Sequence, residues 1–360
     1  MLYHLLYPLR DIFFGCNVFK YITVRSGLGF VISFLLVIVL GNGFIRYLRR
    51  INLKEHIDMY GHMHLEEMYC AKEGTPTMGG LLMGASIFIA VLLCARFDNP
   101  FVWLSLFVML WFMGIGFVDD MVKLKNKRGL SRTQKLVAQI SGGMFIAVTL
   151  YIYKLLAPQI HFPFFKDMVL NAGAFYVFWV ALVLCATCNA VNFTDGLDGL
   201  AIGCTVMVAL TFGILCYISG HVHLAGYLFL PFIDGSGELA VVCACLMGAG
   251  LGFLWFNAYP AEIFMGDTGS SLLGGLLGAV AVMIHKEIWL VIAGGIFVLE
   301  ALSVIGQIVA VRVFKRRMFK AAPFHHHLRL AGWSEAKVTV RFWIISLLFV
   351  AVSLITIKIR

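Results

Sequence analysis

Three short segments concentrate the aspartates of this chain. The first reads Gly116-Phe117-Val118-Asp119-Asp120. The second runs Asn189-Ala190-Val191-Asn192-Phe193-Thr194-Asp195-Gly196-Leu197-Asp198-Gly199. The third runs from Asn257 to Phe264-Met265-Gly266-Asp267-Thr268-Gly269-Ser270. Each adjoins a long apolar run, so Asp119, Asp120, Asp195, Asp198 and Asp267 all stand at ends of hydrophobic segments. Carboxylates gathered at a low-dielectric boundary repel one another and need counter-charge. A divalent cation supplies it, and Mg²⁺ favours a few carboxylates completed by water and substrate phosphate. Lys72, Lys123 and Lys127 offer further positive charge. Gly196, Gly199, Gly266 and Gly269 let backbone approach a bulky group. Helices starting after Asp198 and Asp267 would aim N–H groups at anionic oxygens. A phosphorylated substrate fits this pattern. For any single aspartate the plainer reading is a helix-end residue, with N-cap roles for Asp198 and Asp267. Three motifs on one face favour the site.

A fourth segment, Ala322-Pro323-Phe324-His325-His326-His327, lies between Lys320 and Arg329. Three adjacent histidines on a helix point about 100° apart and cannot share one metal. Phosphate hydrogen bonding, acid–base chemistry or a surface accident would each explain them. Phe264 offers a flat face to a base, or simply packs. Cys185-x-x-Cys188 has redox or metal spacing but no second ligand pair, so packing explains it better. His62-x-His64 and His221-x-His223 have no assigned role.

The elements that position these groups follow from composition. Of 360 residues, 61% are hydrophobic and only 13% charged, about half the charged share of a soluble domain. That excludes disorder and a soluble core, and nine cysteines are too dilute for a disulfide scaffold. An all-α integral membrane protein remains, a single polytopic domain over 1–360. Ten transmembrane helices are expected at about 27–47, 77–95, 100–118, 134–154, 170–190, 199–219, 238–256, 268–285, 288–313 and 339–358. The ninth exceeds a hydrocarbon thickness of about 30 Å, so it should tilt, protrude or break, with Gly294, Gly295 and Gly306 as break points. No internal repeat is visible.

The net charge is +9, and it reads as an orientation signal, not a nucleic-acid surface. Basic residues crowd the loops after the first, third and ninth spans: Arg46, Arg49, Arg50, Lys54 and Lys72; Lys123, Lys125, Lys127, Arg128, Arg132 and Lys135; and the stretch from Arg312 to Arg341. The positive-inside rule then puts these loops in the cytoplasm and both termini outside. The aspartate segments share the cytoplasmic face. Residues 1–22 read as a helix in the outer interface, not a cleaved signal peptide. An ion-coupled transporter would hold its acids mid-span, where only Glu300 lies.

The segments Thr75-Pro76-Thr77-Met78-Gly79-Gly80, Asp119-Asp120, Asn189 to Gly199, Phe264 to Asp267 and Pro323 to His327 stand in an order that resembles the bacterial phospho-N-acetylmuramoyl-pentapeptide-transferases. The resemblance covers essentially the whole chain, including Asn17 to Tyr21 and Arg341-Phe342-Trp343-Ile344-Ile345-Ser346. The aspartate motifs are similar to those of all polyprenyl-phosphate sugar-1-phosphate transferases. The histidine segment and Thr75 to Gly80 point to the muramoyl branch, against a transferase for UDP-GlcNAc. The resemblance implies a multi-pass enzyme of the bacterial cytoplasmic membrane, usually a homodimer. It implies a cytoplasm-facing catalytic cleft and Mg²⁺-dependent transfer of phospho-MurNAc-pentapeptide from UDP-MurNAc-pentapeptide to undecaprenyl phosphate, giving lipid I and UMP.

Position by position, it implies that Asp267 binds Mg²⁺. Asp119 and Asp120 would activate the lipid phosphate or help hold the metal–phosphate unit, which makes them further candidate ligands. Lys72, Asn192, Asp195, Gly196, Leu197, Asp198 and Phe264 would form the nucleoside pocket, with Phe264 on uracil. Thr77, Asn257 and Gln307 match further cleft positions. His325, His326 and His327 match the histidine motif near the phosphate or the sugar–peptide part, with His326 counted among the catalytic groups. Two places depart from the family pattern: the stretch 59–67 before Lys72, and Thr268, where valine is common.

Overall fold

The computed structural model describes residues 1–51, 72, 74–126, 129–165 and 168–358. Lys54, the stretch 59–67 with His62 and His64, Cys70, Lys127 and Arg128 lie outside the described residues. In chain order the helices are α1 Leu2–Leu6, α2 Ile22–Arg50, α3 Gly80–Cys94, α4 Pro100–Asn126, α5 Arg132–Ile152, α6 Tyr176–Thr194 and α7 Leu200–Ser219. They continue as α8 Val222–Tyr227, α9 Glu238–Asn257, α10 Gly266–Met283, α11 Glu287–Ala293, α12 Gly295–Phe314, α13 Phe324–Leu330 and α14 Glu335–Ile355.

Among the described residues, eight helices are long and apolar enough to cross a membrane: α2, α4, α5, α6 with the turn before it, α7, α9, α12 and α14. They coincide with eight of the expected spans. The remaining two expectations fall on α3 and α10, which are shorter or richer in glycine. α10 is the central element. Every residue from Thr268 to Met283 is buried, and α4 and α6 pack along it.

The long ninth segment breaks where two glycines adjoin. α11 ends at Ala293, Gly294 leaves helical geometry, and α12 begins at Gly295. Paired glycines hold helix weakly. Gly306, the third break point expected, lies inside an unbroken α12.

Residues 1–22 are not the single helix expected. They form α1 and two tight 3-10 turns, Tyr7–Asp11 and Phe14–Lys20. Pro8 has no N–H to donate and ends the first turn pattern. A hairpin absent from the sequence reading joins α5 to α6: β1 Gln159–His161 pairs antiparallel with β2 Val169–Asn171. Both ends of the described residues lie away from the Asp119–Asp267 pair. The Met1 amino group donates to Leu92 O at the end of α3, and Lys358 Nζ donates to Tyr227 O of α8.

That distal end is tied by a buried ion pair. Arg25 of α2 and Glu238 of α9 meet in a two-pronged contact at 2.5 and 2.6 Å, and they are 1% and 5% exposed. Arg25 also donates to Cys94 O, and the Arg96 N–H donates to Glu238. Removing one partner strands a buried charge, which costs about 3–5 kcal/mol, whereas an apolar pair of similar volume is close to neutral. Glu238→Ala should therefore lower the thermal midpoint in detergent sharply, and Arg25→Met with Glu238→Leu should recover most of the loss. Equal losses in both variants would show that the charges themselves hold this end together.

Candidate active site

The start of α10 is set from α4. Gly266 takes a left-handed φ of 73°, and Asp267 follows inside the first turn. Asp120 Oδ1 accepts the Asp267 N–H at 3.1 Å. Its Oδ2 accepts the Thr268 N–H at 2.9 Å and the Thr268 hydroxyl at 2.7 Å. Asp120 thus caps α10 across the helix–helix interface, where the helix dipole favours negative charge. One turn before it, a Cβ at Gly116 would stand 2.1 Å from Asp267 O. Only glycine lets α4 lie this close to the α10 start.

Asp267 itself reaches outward. Its Oδ1 accepts from Asn192 Nδ2 of α6 at 2.8 Å, and Asn192 also donates to Ser270. Its Oδ2 pairs with Lys123 Nζ at 2.9 Å and with Lys135 Nζ. Asp119 Oδ2 shares the same two ammonium groups, at 3.0 Å from Lys123 and 3.3 Å from Lys135. Its Oδ1 accepts the Leu130 N–H at 2.7 Å. Residues from α4, α5, α6 and α10 therefore converge on two facing carboxylates and two lysines.

Lys123 was expected here. Lys135 was not; its charge figured only in the loop count. A local signal marks it, because Ser131 and Gln134 form a reciprocal capping box that starts α5. That places Lys135 in the first turn, facing the cluster.

A second cluster stands on the loop after α6. Lys72 Nζ pairs with Asp198 Oδ1 at 2.6 Å and with Glu335 Oε1 of α14. Asp198 Oδ2 accepts the Ala261 N–H at 3.0 Å. Burial pushes the Asp198 carboxyl above the usual range, against the pull of Lys72. Asn257 Oδ1 accepts the Gly199 N–H, and its amide donates to Ile263 O. Phe264 lies beside this group, with Lys72 Nζ 5.9 Å from its ring centroid. The two clusters join through main chain: Phe264 N–H donates to Pro76 O, and the N–H groups of Gly79 and Gly80 donate to Phe264 O and Met265 O. This pairing explains why Thr75 to Gly80 and Phe264 to Asp267 form a unit. Thr77 is buried beside Gly266, and Leu197 is buried under the loop. Asp195 ends α6.

The cap positions differ from the plainer sequence reading. Gly199 caps α7, and Met265 precedes α10. Neither Asp198 nor Asp267 is an N-cap, because each carboxylate is turned to a lysine instead.

The three histidines separate on α13. His325 and His326 are buried, and their ring centroids lie 4.2 Å apart. A Cβ at Gly196 would strike His325 Nε2 at 2.2 Å, so this glycine lets the 195–199 loop lie on the histidine helix. His325 Nδ1 lies 3.3 Å from Glu300 Oε1. Glu300 also accepts the Phe324 N–H at 2.7 Å and the His325 N–H at 3.2 Å. The one mid-span acid is therefore the cap of the histidine helix. Burial, with Arg329 and Lys72 nearby, pushes His326 down to about 2. His327 Nδ1 accepts the Lys320 N–H, and its ring stacks with Phe324. Gln307 brackets the main chain of Met318 and Phe319 and is not in contact with the aspartates.

Among the described residues no three His, Cys, Asp or Glu side chains stand together as a metal cage. Asp119 and Asp267 do present two oxygens that already share cationic partners. That donor set fits a hard cation whose other ligands are phosphate and water. Both oxygens of Asp120 are taken by α10. Cys185 and Cys188 are free thiols bonded to Gln139, as the packing reading expects. His221 caps α8.

The chain is similar to known proteins over its whole length. Residues 102–285 match the glycosyl transferase family 4 model. Residues 72–82, which include Lys72 and Thr77, match a phospho-N-acetylmuramoyl-pentapeptide-transferase signature. Proteins of that name from Desulfotalea psychrophila, Citrifermentans bemidjiense and Nitratidesulfovibrio vulgaris are 47%, 44% and 45% identical to this chain, and each alignment covers the full length of both chains. The chain belongs to the phospho-N-acetylmuramoyl-pentapeptide-transferase family.

Proposed function

We propose that this chain transfers phospho-MurNAc-pentapeptide from UDP-MurNAc-pentapeptide to undecaprenyl phosphate, releasing UMP and forming lipid I at the bacterial cytoplasmic membrane. The observation that carries the reading is the pair Asp119–Asp267 bridged by Lys123 and Lys135 at the start of α10. In this reading α3 and α10 complete ten spans, the cleft faces the cytoplasm and both termini lie outside. A homodimer is the expected assembly.

Asp267 and Asp119 are the residues that would hold Mg²⁺, while Asp120 acts by fixing Asp267. Bound there, the cation would neutralise diphosphate oxygens as UMP leaves. The lipid phosphate is largely ionised near neutral pH, since its second pKa is about 6. Attack then needs alignment more than a general base. Lys123 and Lys135 face the same point and would attract the phosphates. Lys72, Asn192, Asp195, Gly196, Leu197, Asp198, Asn257 and Phe264 take the nucleoside, with Phe264 stacking on the base. His326 works as a neutral hydrogen-bonding group beside them, with His325 held by Glu300; Thr77, Gln307 and His327 shape the surrounding walls.

UMP release from the two substrates, with and without Mg²⁺, tests the reading directly; turnover should need the metal and should be absent with UDP-GlcNAc as donor. Asp267→Asn and Lys135→Ala should each lower turnover about 100-fold or more, the scale of losing one charge-stabilising group, with the thermal midpoint retained. Near-normal turnover in either at saturating Mg²⁺ would move the chemistry elsewhere.

His326 gives a pH prediction. An imidazole in the unfolded chain takes a proton near 6.5, and the folded one only near 2. Acid therefore protonates the unfolded chain first. Stability from this group is intact above about pH 6.5 and is lost progressively below it. Between about pH 7.5 and about pH 5.5 the wild-type midpoint should fall more than that of His326→Gln. Parallel slopes would mean that His326 titrates normally in the folded protein.

A further inference from the structure

One face of α14 grips the peptide that carries Asp198. Glu335, Thr339 and Trp343 recur at four-residue spacing, which stacks them on one side of a helix. Glu335 Oε1 accepts the Asp198 N–H at 2.9 Å. Thr339 Oγ1 donates to Asp198 O at 3.2 Å. Trp343 Nε1 donates to Gly199 O at 3.2 Å. Both polar groups of one peptide residue, and the carbonyl of the next, are thus fixed by a single helix. Glu335 is 5% exposed, and the same Oε1 that holds the Asp198 N–H also takes Lys72 Nζ. Lys72 in turn bonds the Asp198 carboxylate, which closes a ring of three groups.

This ring is more than a packing contact. One carboxylate oxygen links three segments, because Lys72, Asp198 and Glu335 come from distant parts of the chain. A partly buried ammonium between two carboxylates is held in one place, and charge-assisted bonds of this kind are short and directional. The polar contacts of these three α14 residues go to Asp198, Gly199 and Lys72 and not to the Asp119–Asp267 pair, so their influence passes through the loop and Lys72.

We infer that Glu335, at the head of the Glu335–Thr339–Trp343 face of α14, is a positioning residue that sets affinity for the uridine-diphosphate donor by holding Lys72 and the Asp198 loop. The inference rests on the transferase reading above. It predicts a split between binding and chemistry. Glu335→Ala should raise KM for UDP-MurNAc-pentapeptide about tenfold or more, leave kcat within about twofold, and leave KM for undecaprenyl phosphate unchanged.

Glu335→Gln keeps an acceptor for the Asp198 N–H and should recover part of the lost affinity. Thr339→Val removes only the second grip and should show a smaller rise in the same KM. If Glu335→Ala does not purify as a folded protein, the other two variants read the same quantity. An unchanged donor KM in all variants that purify would overturn the inference. So would a fall in kcat with donor KM unchanged, since that places Glu335 in the chemical step. Wild-type protein that releases no UMP would instead overturn the transferase reading itself, so the two failures are told apart.

Discussion

A carboxylate closing the end of a neighbouring helix organises this site. Asp120 satisfies the first N–H groups of α10 and the Thr268 hydroxyl. Adjacent residues on a helix diverge by about 100°, so Asp119, next in line, is turned to a different task. It faces Asp267, and the two acids share Lys123 and Lys135. The two members of the Asp-Asp dipeptide therefore take different partners. One member fixes the position of α10, and the other works against the residue that α10 presents.

The same logic governs charge throughout the chain. Most buried acids are matched: Glu238 by Arg25, Asp198 and Glu335 by Lys72, Glu300 by two N–H groups of α13, whereas Glu287 takes the Tyr176 hydroxyl on one oxygen and leaves the other without a hydrogen bond. In a chain this apolar, an unmatched carboxylate would be expensive. The matches at the aspartate end use lysines, whose flexible stems and point charges adapt to phosphate oxygens. The match at the far end uses arginine in a two-pronged contact, which suits a fixed joint.

Much of this was legible in the sequence. Apolar run length located the membrane helices, and paired glycines located the break between α11 and α12. The acids at helix ends identified the site face. Partner choice was not legible, because it depends on contacts between residues far apart in the chain. Nothing local distinguishes Asp119 from Asp120, and nothing near Glu335 or Glu300 announces Asp198 or His325 as partners. Lys135 is the intermediate case, since the Ser131–Gln134 capping box marks its place in the first turn of α5 but nothing local announces its partner on α10. The 3-10 turns before α2 replaced an expected helix for a local reason, Pro8.

The grip of α14 on Asp198 bears on how the protein is made. α14 is the last of the described helices to leave the ribosome, yet it completes a pocket whose other walls come from earlier helices. A nascent chain that has inserted the earlier helices but not this one holds its aspartates without the α14 bonds to Asp198 and Gly199. In the transferase reading proposed above, binding of the donor would wait for the insertion of α14.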